Sequence, residues 1–282
     1  MPELPEVETV RRGLNQVTLN YSIRGGEVLL SRSIAHPDSV DGFLNGLYDT
    51  HITQWHRRGK YLLAELHAQD QQPAGWLGVH LRMTGQLLWV QPNAPLSAHC
   101  RVRLWLGDHH ELRFVDQRTF GRLWWIPRDR TPESIMTGMA ALGPEPFSDD
   151  FSPQYLYTAT RRSLRPIKNA LLDQRLVAGI GNIYADEALF LSGIHPQTPS
   201  RRLGLSRLTK LHQAICEVLT TSIAAGGTTF SDFRNVEGIN GNYGGVAWVY
   251  DREDQPCRVC QTPVQRLKMA GRSAHYCPQC QR

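Results

Sequence analysis

The chain has 282 residues, of which 41% are hydrophobic and 20% charged, so it is long enough for two globular domains and too evenly mixed for a disordered or fibrous protein. No apolar run approaches the roughly 20 residues that cross a bilayer, and the acidic, proline-containing start lacks the basic and apolar regions of a secretory signal, so a cytoplasmic protein without a membrane partner is expected. The net charge of +5 is unevenly placed: residues 1–150 hold 15 Lys and Arg against 17 Asp and Glu, and residues 151–282 hold 16 against 9. A positive surplus confined to one half points to a polyanionic partner, nucleic acid before a membrane surface.

The first element begins at Pro2-Glu3-Leu4-Pro5-Glu6-Val7-Glu8. Removal of Met1 would leave a secondary amine beside carboxylates. An α-amino group titrates near 7.7–8.0, far below lysine, so much more of it is neutral and nucleophilic at physiological pH. A secondary amine that attacks a sugar C1′ or an aldehyde gives an iminium ion, and that electron sink acidifies the adjacent C–H and permits elimination. Met-Pro starts are common in chains with no such chemistry, so this feature needs support from elsewhere. Val7, Val10, Leu14 and Val17 fall at helical spacing, with Pro5 near the start and acids in the first turn, which predicts a helix over 5–17.

From about 21 to 126 the pattern turns to short β-type runs at 27–30, 61–66, 86–90, 102–106, 111–114 and 123–126, which predicts a sandwich or barrel. Residues 143–153 contain three prolines, break the periodicity and read as a linker. Residues 154–225 are helical in pattern, interrupted by Gly179-Ile180-Gly181-Asn182, a tight turn into a helix where backbone N–H groups could meet a phosphate. Arg161, Arg162, Arg165 and Lys168 lie nearby in sequence and favour an anion. The Gly- and Asn-rich stretch 226–245 reads as a mobile functional loop.

The last element carries the strongest pattern. Cys257-x2-Cys260 and Cys277-x2-Cys280 are separated by 16 residues, the spacing of a four-thiolate Zn²⁺ site. Disulfides are the weaker reading in a reducing cytoplasm, and a segment this short and polar needs a staple to fold. Four protein ligands leave no position for an activated water, so one structural Zn²⁺ per monomer is expected. Between the knuckles, 264–276 reads as a basic strand, a Gly-Arg turn and a second strand, with Arg272 at the tip. Cys100 and Cys216 have no such partner and read as buried thiols.

Taken together and in order, the N-terminal Pro2-Glu3, Arg57-Arg58-Gly59-Lys60, His80-Leu81-Arg82-Met83-Thr84-Gly85, Asp116-Gln117-Arg118-Thr119-Phe120-Gly121, the 179–187 segment and the four-Cys ribbon resemble the bacterial formamidopyrimidine-DNA glycosylases along essentially the whole chain. The resemblance implies an α+β multidomain fold: a catalytic β-sandwich with flanking helices over 1–142, a linker at 143–153, a helix–two-turn–helix DNA-binding domain with a lesion-recognition loop over 154–247, and a zinc-finger hairpin over 248–282. It implies a base-excision repair enzyme, a bifunctional DNA glycosylase and abasic-site lyase. Such an enzyme flips oxidised purines (8-oxoguanine and formamidopyrimidines) out of duplex DNA, excises them and cleaves the abasic strand by β- and δ-elimination.

By the same resemblance Pro2 is the Schiff-base nucleophile, Glu3 moves protons at the deoxyribose, Lys60 lies at the active site, and Arg272 contacts the phosphate beside the lesion and takes part in δ-elimination. Met83, Arg118 and Phe120 match the wedge that fills the stack. Asn182 matches the asparagine that holds a backbone phosphate, with His99, Arg162 and Lys168 as further DNA contacts. Thr228 to Tyr243 matches the segment that closes over the extruded base. The implied partner is double-stranded DNA with oxidised purines or abasic sites, met by a bacterial monomer at the nucleoid. The sister family resembling endonuclease VIII fits less well, because Leu4 stands where it has glycine and all three wedge residues are present. A binding-only descendant would have lost Pro2, Glu3 or Lys60, and a zinc hydrolase needs a vacant metal position.

Overall fold

The computed structural model describes residues 1–228, 235–239, 241 and 243–282. Contacts divide the chain into two units, Met1–Ala140 with Ala225–Asn242, and Ala141–Ala224 with Tyr243–Arg282. The expected helix is α1 (Leu4–Val17), which buries Val7, Val10 and Leu14. Nine strands follow: β1 (Ile23–Val28), β2 (Ile34–His36), β3 (His51–Arg58), β4 (Tyr61–His67), β5 (Pro73–His80), β6 (Gly85–Val90), β7 (Cys100–Leu106), β8 (His110–Asp116) and β9 (Arg122–Ile126), with α2 (Val40–Leu47) between β2 and β3. They form a four-stranded sheet in the order β1-β7-β8-β6 and a five-stranded sheet in the order β2-β9-β5-β4-β3.

Both sheets and both helices feed one core. Trp55 and Leu62 of the larger sheet, Leu104 and Phe114 of the smaller, Val10 of α1 and Phe43 of α2 belong to a single buried cluster, so of the sandwich or barrel that the short runs predict the chain forms the sandwich that the resemblance implies. Strands β3 and β5 were not among the expected runs. His51–Arg58 is mostly polar, and Pro73–His80 contains two glycines that weaken β-propensity. Those glycines serve packing: a Cβ on Gly75, whose φ is +114°, would stand 2.1 Å from the Ile126 carbonyl oxygen, and one on Gly78 would stand 2.7 Å from Met136 Sδ.

In the second unit, α5 (Pro153–Thr160), α6 (Ile167–Leu171), α7 (Asn182–Leu191) and α8 (Leu205–Ala224) follow two short helices that end the first unit's continuous stretch, α3 (Pro132–Ile135) and α4 (Thr137–Ala140). The proline-rich 143–153 segment is packed rather than free: Gly143 N–H donates to Gln174 O, Ala178 N–H to Pro144 O, and Phe151 is buried. The hairpin β10 (Gln265–Met269) and β11 (Arg272–Tyr276) closes the chain. Its turn is Ala270-Gly271, both at positive φ (47° and 77°), so Arg272 opens β11 instead of sitting in the turn. The grouping of Ala225–Asn242 with the first unit differs from the expected 154–247 span. No described helix is long and apolar enough to cross a membrane.

Candidate active site

The start of α1 is clasped by its own acids. Glu3 is the N-cap, and it forms a reciprocal capping box with Glu6: the Glu3 N–H donates to Glu6 Oε2 at 2.8 Å, and the Glu3 carboxylate accepts the Glu6 N–H. The other Glu6 oxygen accepts the Thr228 N–H at 2.8 Å. Pro2, Glu3 and Glu6 are all buried. A single carboxylate thus ties the residue after Pro2 to the first residue of the 228–243 segment. Residues 229–234, 240 and 242 of that segment, where the loop over an extruded base was expected, lie outside the described residues. Glu6 is not among the expected site residues; the Glu3-x-x-Glu6 spacing is its one signal in the sequence, and it is weak because Glu is an uncommon N-cap.

One turn further along α1, Glu8 reaches the strand pair that presents Lys60. Its carboxylate meets Arg11 at 2.8 Å, Arg12 at 2.9 Å and Arg57 Nε at 3.2 Å, while Arg57 Nη1 donates to Gly59 O at 3.1 Å. Burial alone would raise the Glu8 pKa, but the hydrogen bonds from Arg11 and Arg12 and the nearby positive charges outweigh it and hold the group at about 2. Gly59, at φ 55°, makes the β3–β4 turn, and Lys60 follows it, 7% exposed. Across β4 and β5, Tyr61 pairs with His80. Burial first, then the charges of Arg82 and Lys60, push His80 down to about 3, so its ring is neutral at physiological pH, and its Nδ1 accepts the Arg82 N–H at 3.0 Å.

The expected wedge residues stand on two turns laced together by one buried carboxylate. Asp116 accepts the Thr84 hydroxyl at 2.5 Å and the Gly121 N–H at 2.7 Å, and Thr84 Oγ1 accepts the Arg118 N–H at 3.0 Å. This joins the turn carrying Met83 to the turn carrying Arg118 and Phe120. Phe120 is 50% exposed, with the Arg118 guanidinium 5.0 Å from its ring centroid. The Asp116 N–H donates to His99 O at 2.9 Å, and the exposed His99 ring lies 3.3 Å from Arg101 Nη2. Met83, Arg118, Phe120 and His99 therefore share one hydrogen-bonded frame.

In the second unit, Asn182 is the first residue of α7, and its side-chain Oδ1 is buried with no hydrogen-bond partner. The helix N-terminus suits a phosphate oxygen, which the side chain would meet through Nδ2 once the amide is turned. Arg162 and Arg272 are exposed. Lys168 departs from its expected role. Its side chain is fully buried, with Nζ 2.6 Å from Asp186 Oδ1 and donating to Ser273 O, so it is an internal ion pair that a DNA phosphate does not reach. The sequence shows a cation in a basic run but not that an acid 18 residues on neutralises it.

The sulfurs of Cys257, Cys260, Cys277 and Cys280 all lie within 4.8 Å of one another, with Cys257–Cys280 at 3.9 Å and Cys260–Cys277 at 3.4 Å. A tetrahedron with Zn–S bonds of 2.3 Å has edges of about 3.8 Å, so these thiols fit Zn²⁺. The four cysteines would hold one structural Zn²⁺, which would supply shape and leave no reactive position.

Residues 1–123 match the family described as the formamidopyrimidine-DNA glycosylase N-terminal domain, 142–234 its H2TH domain, and 254–282 the zinc finger found in FPG and IleRS. A protein of Synechococcus sp. named formamidopyrimidine-DNA glycosylase is 63% identical over 281 residues, covering 100% of this chain and 99% of that one. One of the same name from Nostoc sp. is 60% identical with complete coverage of both. The Lactococcus lactis Fpg in complex with an abasic-site DNA superposes with a TM-score of 0.89 at 33% identity over 99% of each chain. MutM bound to DNA containing carbocyclic 8-oxo-G gives 0.89 at 34% over 100% of each. With matched domains in the expected order and relatives this similar from end to end, the chain belongs to the formamidopyrimidine-DNA glycosylase family.

Proposed function

We propose that the protein excises oxidised purines, 8-oxoguanine and ring-opened formamidopyrimidines, from duplex DNA, with Pro2 as the nucleophile after removal of Met1. As a family member it is a DNA glycosylase with abasic-site lyase activity. The observation that supports the residue assignment best is the Glu3–Glu6 clasp, which places a buried Pro2 at the positive end of α1 beside the Glu3 carboxylate. An α-amine keeps a neutral, nucleophilic fraction near neutral pH that a lysine does not, and the Glu3 carboxylate lies beside it. The amine attacks C1′ of the flipped nucleoside, the base leaves with a proton, and the ring-opened sugar remains as an iminium ion on Pro2. Glu3 carries protons to and from the deoxyribose. Loss of a C2′ proton expels the 3′ phosphate, and a second elimination expels the 5′ phosphate.

Lys60 supplies fixed positive charge at the reacting nucleotide, with His80 kept neutral beside it. Met83, Arg118 and Phe120 fill the gap left in the stack. Asn182 and Arg272 hold phosphates, and the exposed Arg162 and His99 add peripheral contacts. The division into a catalytic region at 1–142, a helix–two-turn–helix region at 154–247 and a finger at 248–282, the monomeric state and a place in the bacterial cytoplasm acting on nucleoid DNA belong to this same reading.

The test is borohydride trapping on a duplex with one 8-oxoguanine. A covalent adduct mapping to Pro2, lost in Pro2→Gly and in a protein carrying an extra residue before Pro2, is expected. An adduct formed only on oxidised pyrimidines would transfer the protein to the sister specificity, and DNA binding without any adduct would refute the enzyme mechanism.

A further inference from the structure

Helix α7 carries Asn182 and Asp186 four residues apart, hence on one face. The Asp186 carboxylate, fully buried, divides its two oxygens between different segments: Oδ1 pairs with Lys168 of α6 at 2.6 Å, and Oδ2 accepts the His275 N–H of β11 at 2.9 Å, with His275 Nδ1 at 3.3 Å. Lys168 in turn donates to Ser273 O at 2.5 Å. Strand β11 is therefore held at Ser273 and at His275, and the first of these adjoins Arg272. The strand also pairs with β10, which fixes Arg272 opposite Met269, and its far end carries ring contacts from His275 to Tyr250 and from Tyr276 to His195, so Ser273 is the hold nearest Arg272.

A buried ion pair contributes little net stability compared with an apolar pair of the same volume, because removing two charges from water costs about what their attraction returns. Its distinctive property is direction. Here both charges are spent on backbone groups of β11, one on a carbonyl and one on an N–H, so the strand has a single position that satisfies them. We infer that Asp186, through Lys168, is a positioning residue for Arg272, fixing the arginine relative to Asn182 on the same rigid helix so that the two engage the DNA backbone in one register. This rests on the phosphate-binding assignment of Arg272 given above.

The experiment uses full-length protein on a duplex with a single abasic site, following β- and δ-elimination products in single turnover, with zinc per chain as the measure of a folded finger. Lys168→Met/Asp186→Asn removes both charges together and leaves no orphaned ion. It is expected to retain one zinc per chain while δ-elimination slows on the order of tenfold or more, the scale of a misplaced catalytic contact. If that protein does not hold zinc, Lys168→Arg keeps the charge but moves the donor away from Ser273 O and supplies the same comparison. In an Arg272→Ala background the strut variants should cause no further loss. A loss that carries over in full when Arg272 is absent, or an unchanged β to δ ratio in a zinc-replete strut variant, overturns the positioning role alone. Arg272→Ala without effect on δ-elimination overturns the assignment of Arg272 and the inference with it.

Discussion

Asp116 and Asp186 are both fully buried carboxylates at the centre of hydrogen-bonded frames, yet they are satisfied in opposite ways. Asp116 accepts neutral donors, the Thr84 hydroxyl and the Gly121 N–H, supplied by the turns it braces. Asp186 faces a lysine and a strand 89 residues away in sequence. Where two turns at the end of one sandwich are already brought close by strand pairing, hydrogen bonds complete the frame. Where a helix must orient a small hairpin stapled by metal, the fold uses charge, and the penalty for breaking the arrangement rises accordingly.

The largest expected effect follows from that contrast. Asp186→Ala strands the Lys168 ammonium in the interior and should destabilise the protein by about 3–5 kcal/mol. Adding Lys168→Met should restore most of that loss in chemical denaturation, since the orphaned charge is then gone; a double variant as unstable as the single one would make Asp186 no different from an ordinary buried acid. Thr84→Val, by comparison, leaves one Asp116 oxygen without its hydroxyl and should cost about 1–3 kcal/mol. It should also depress excision of 8-oxoguanine beyond what stability explains, because the turn holding Met83 is no longer tied to the turn holding Arg118 and Phe120. Equal losses of excision and of stability would place the effect in the fold alone.

Charge also sets the expected pH response. Glu8, held at about 2 in the fold against an ordinary 4.5, favours the folded state as a carboxylate. Its contribution is complete above 4.5 and fades as the pH falls towards 2. After allowance for solvent screening that contribution is about 2 kcal/mol. Denaturation of wild type and Glu8→Gln at pH 7 and pH 3 should therefore show a gap that narrows on acidification, and a gap that stays constant would remove Glu8 as the titrating group.

The readable parts of this chain were those whose chemistry is local. The Cys-x2-Cys knuckles and the Val7, Val10 and Leu14 stripe each state their purpose within a few residues. Strand β5 was hidden because its glycines answer to Ile126 and Met136, contacts that no window around 73–80 contains. The sequence points Lys168 towards DNA for the same reason: its neutralising acid sits on another helix. Glu6, Asp116 and Asp186 were visible as residues but not as hubs, since a carboxylate's role depends on which N–H groups the fold brings to it, and those donors come from Thr228, Gly121 and His275.

The smallest expected change in stability belongs to the residue with the most exposed role. Phe120 is half exposed and its ring meets the Arg118 guanidinium, a surface contact worth about 0.5–1 kcal/mol, so Phe120→Ala should unfold within about 1 kcal/mol of wild type. Its effect on chemistry should be selective. Extruding an intact 8-oxoguanine requires the stack to be opened and refilled, whereas an abasic nucleotide has no base to unstack. Single-turnover excision of the base should therefore slow much more than strand cleavage at a preformed abasic site. If both slow equally, Phe120 acts in holding the DNA rather than in opening it, and the frame around Asp116 serves binding instead of base extrusion.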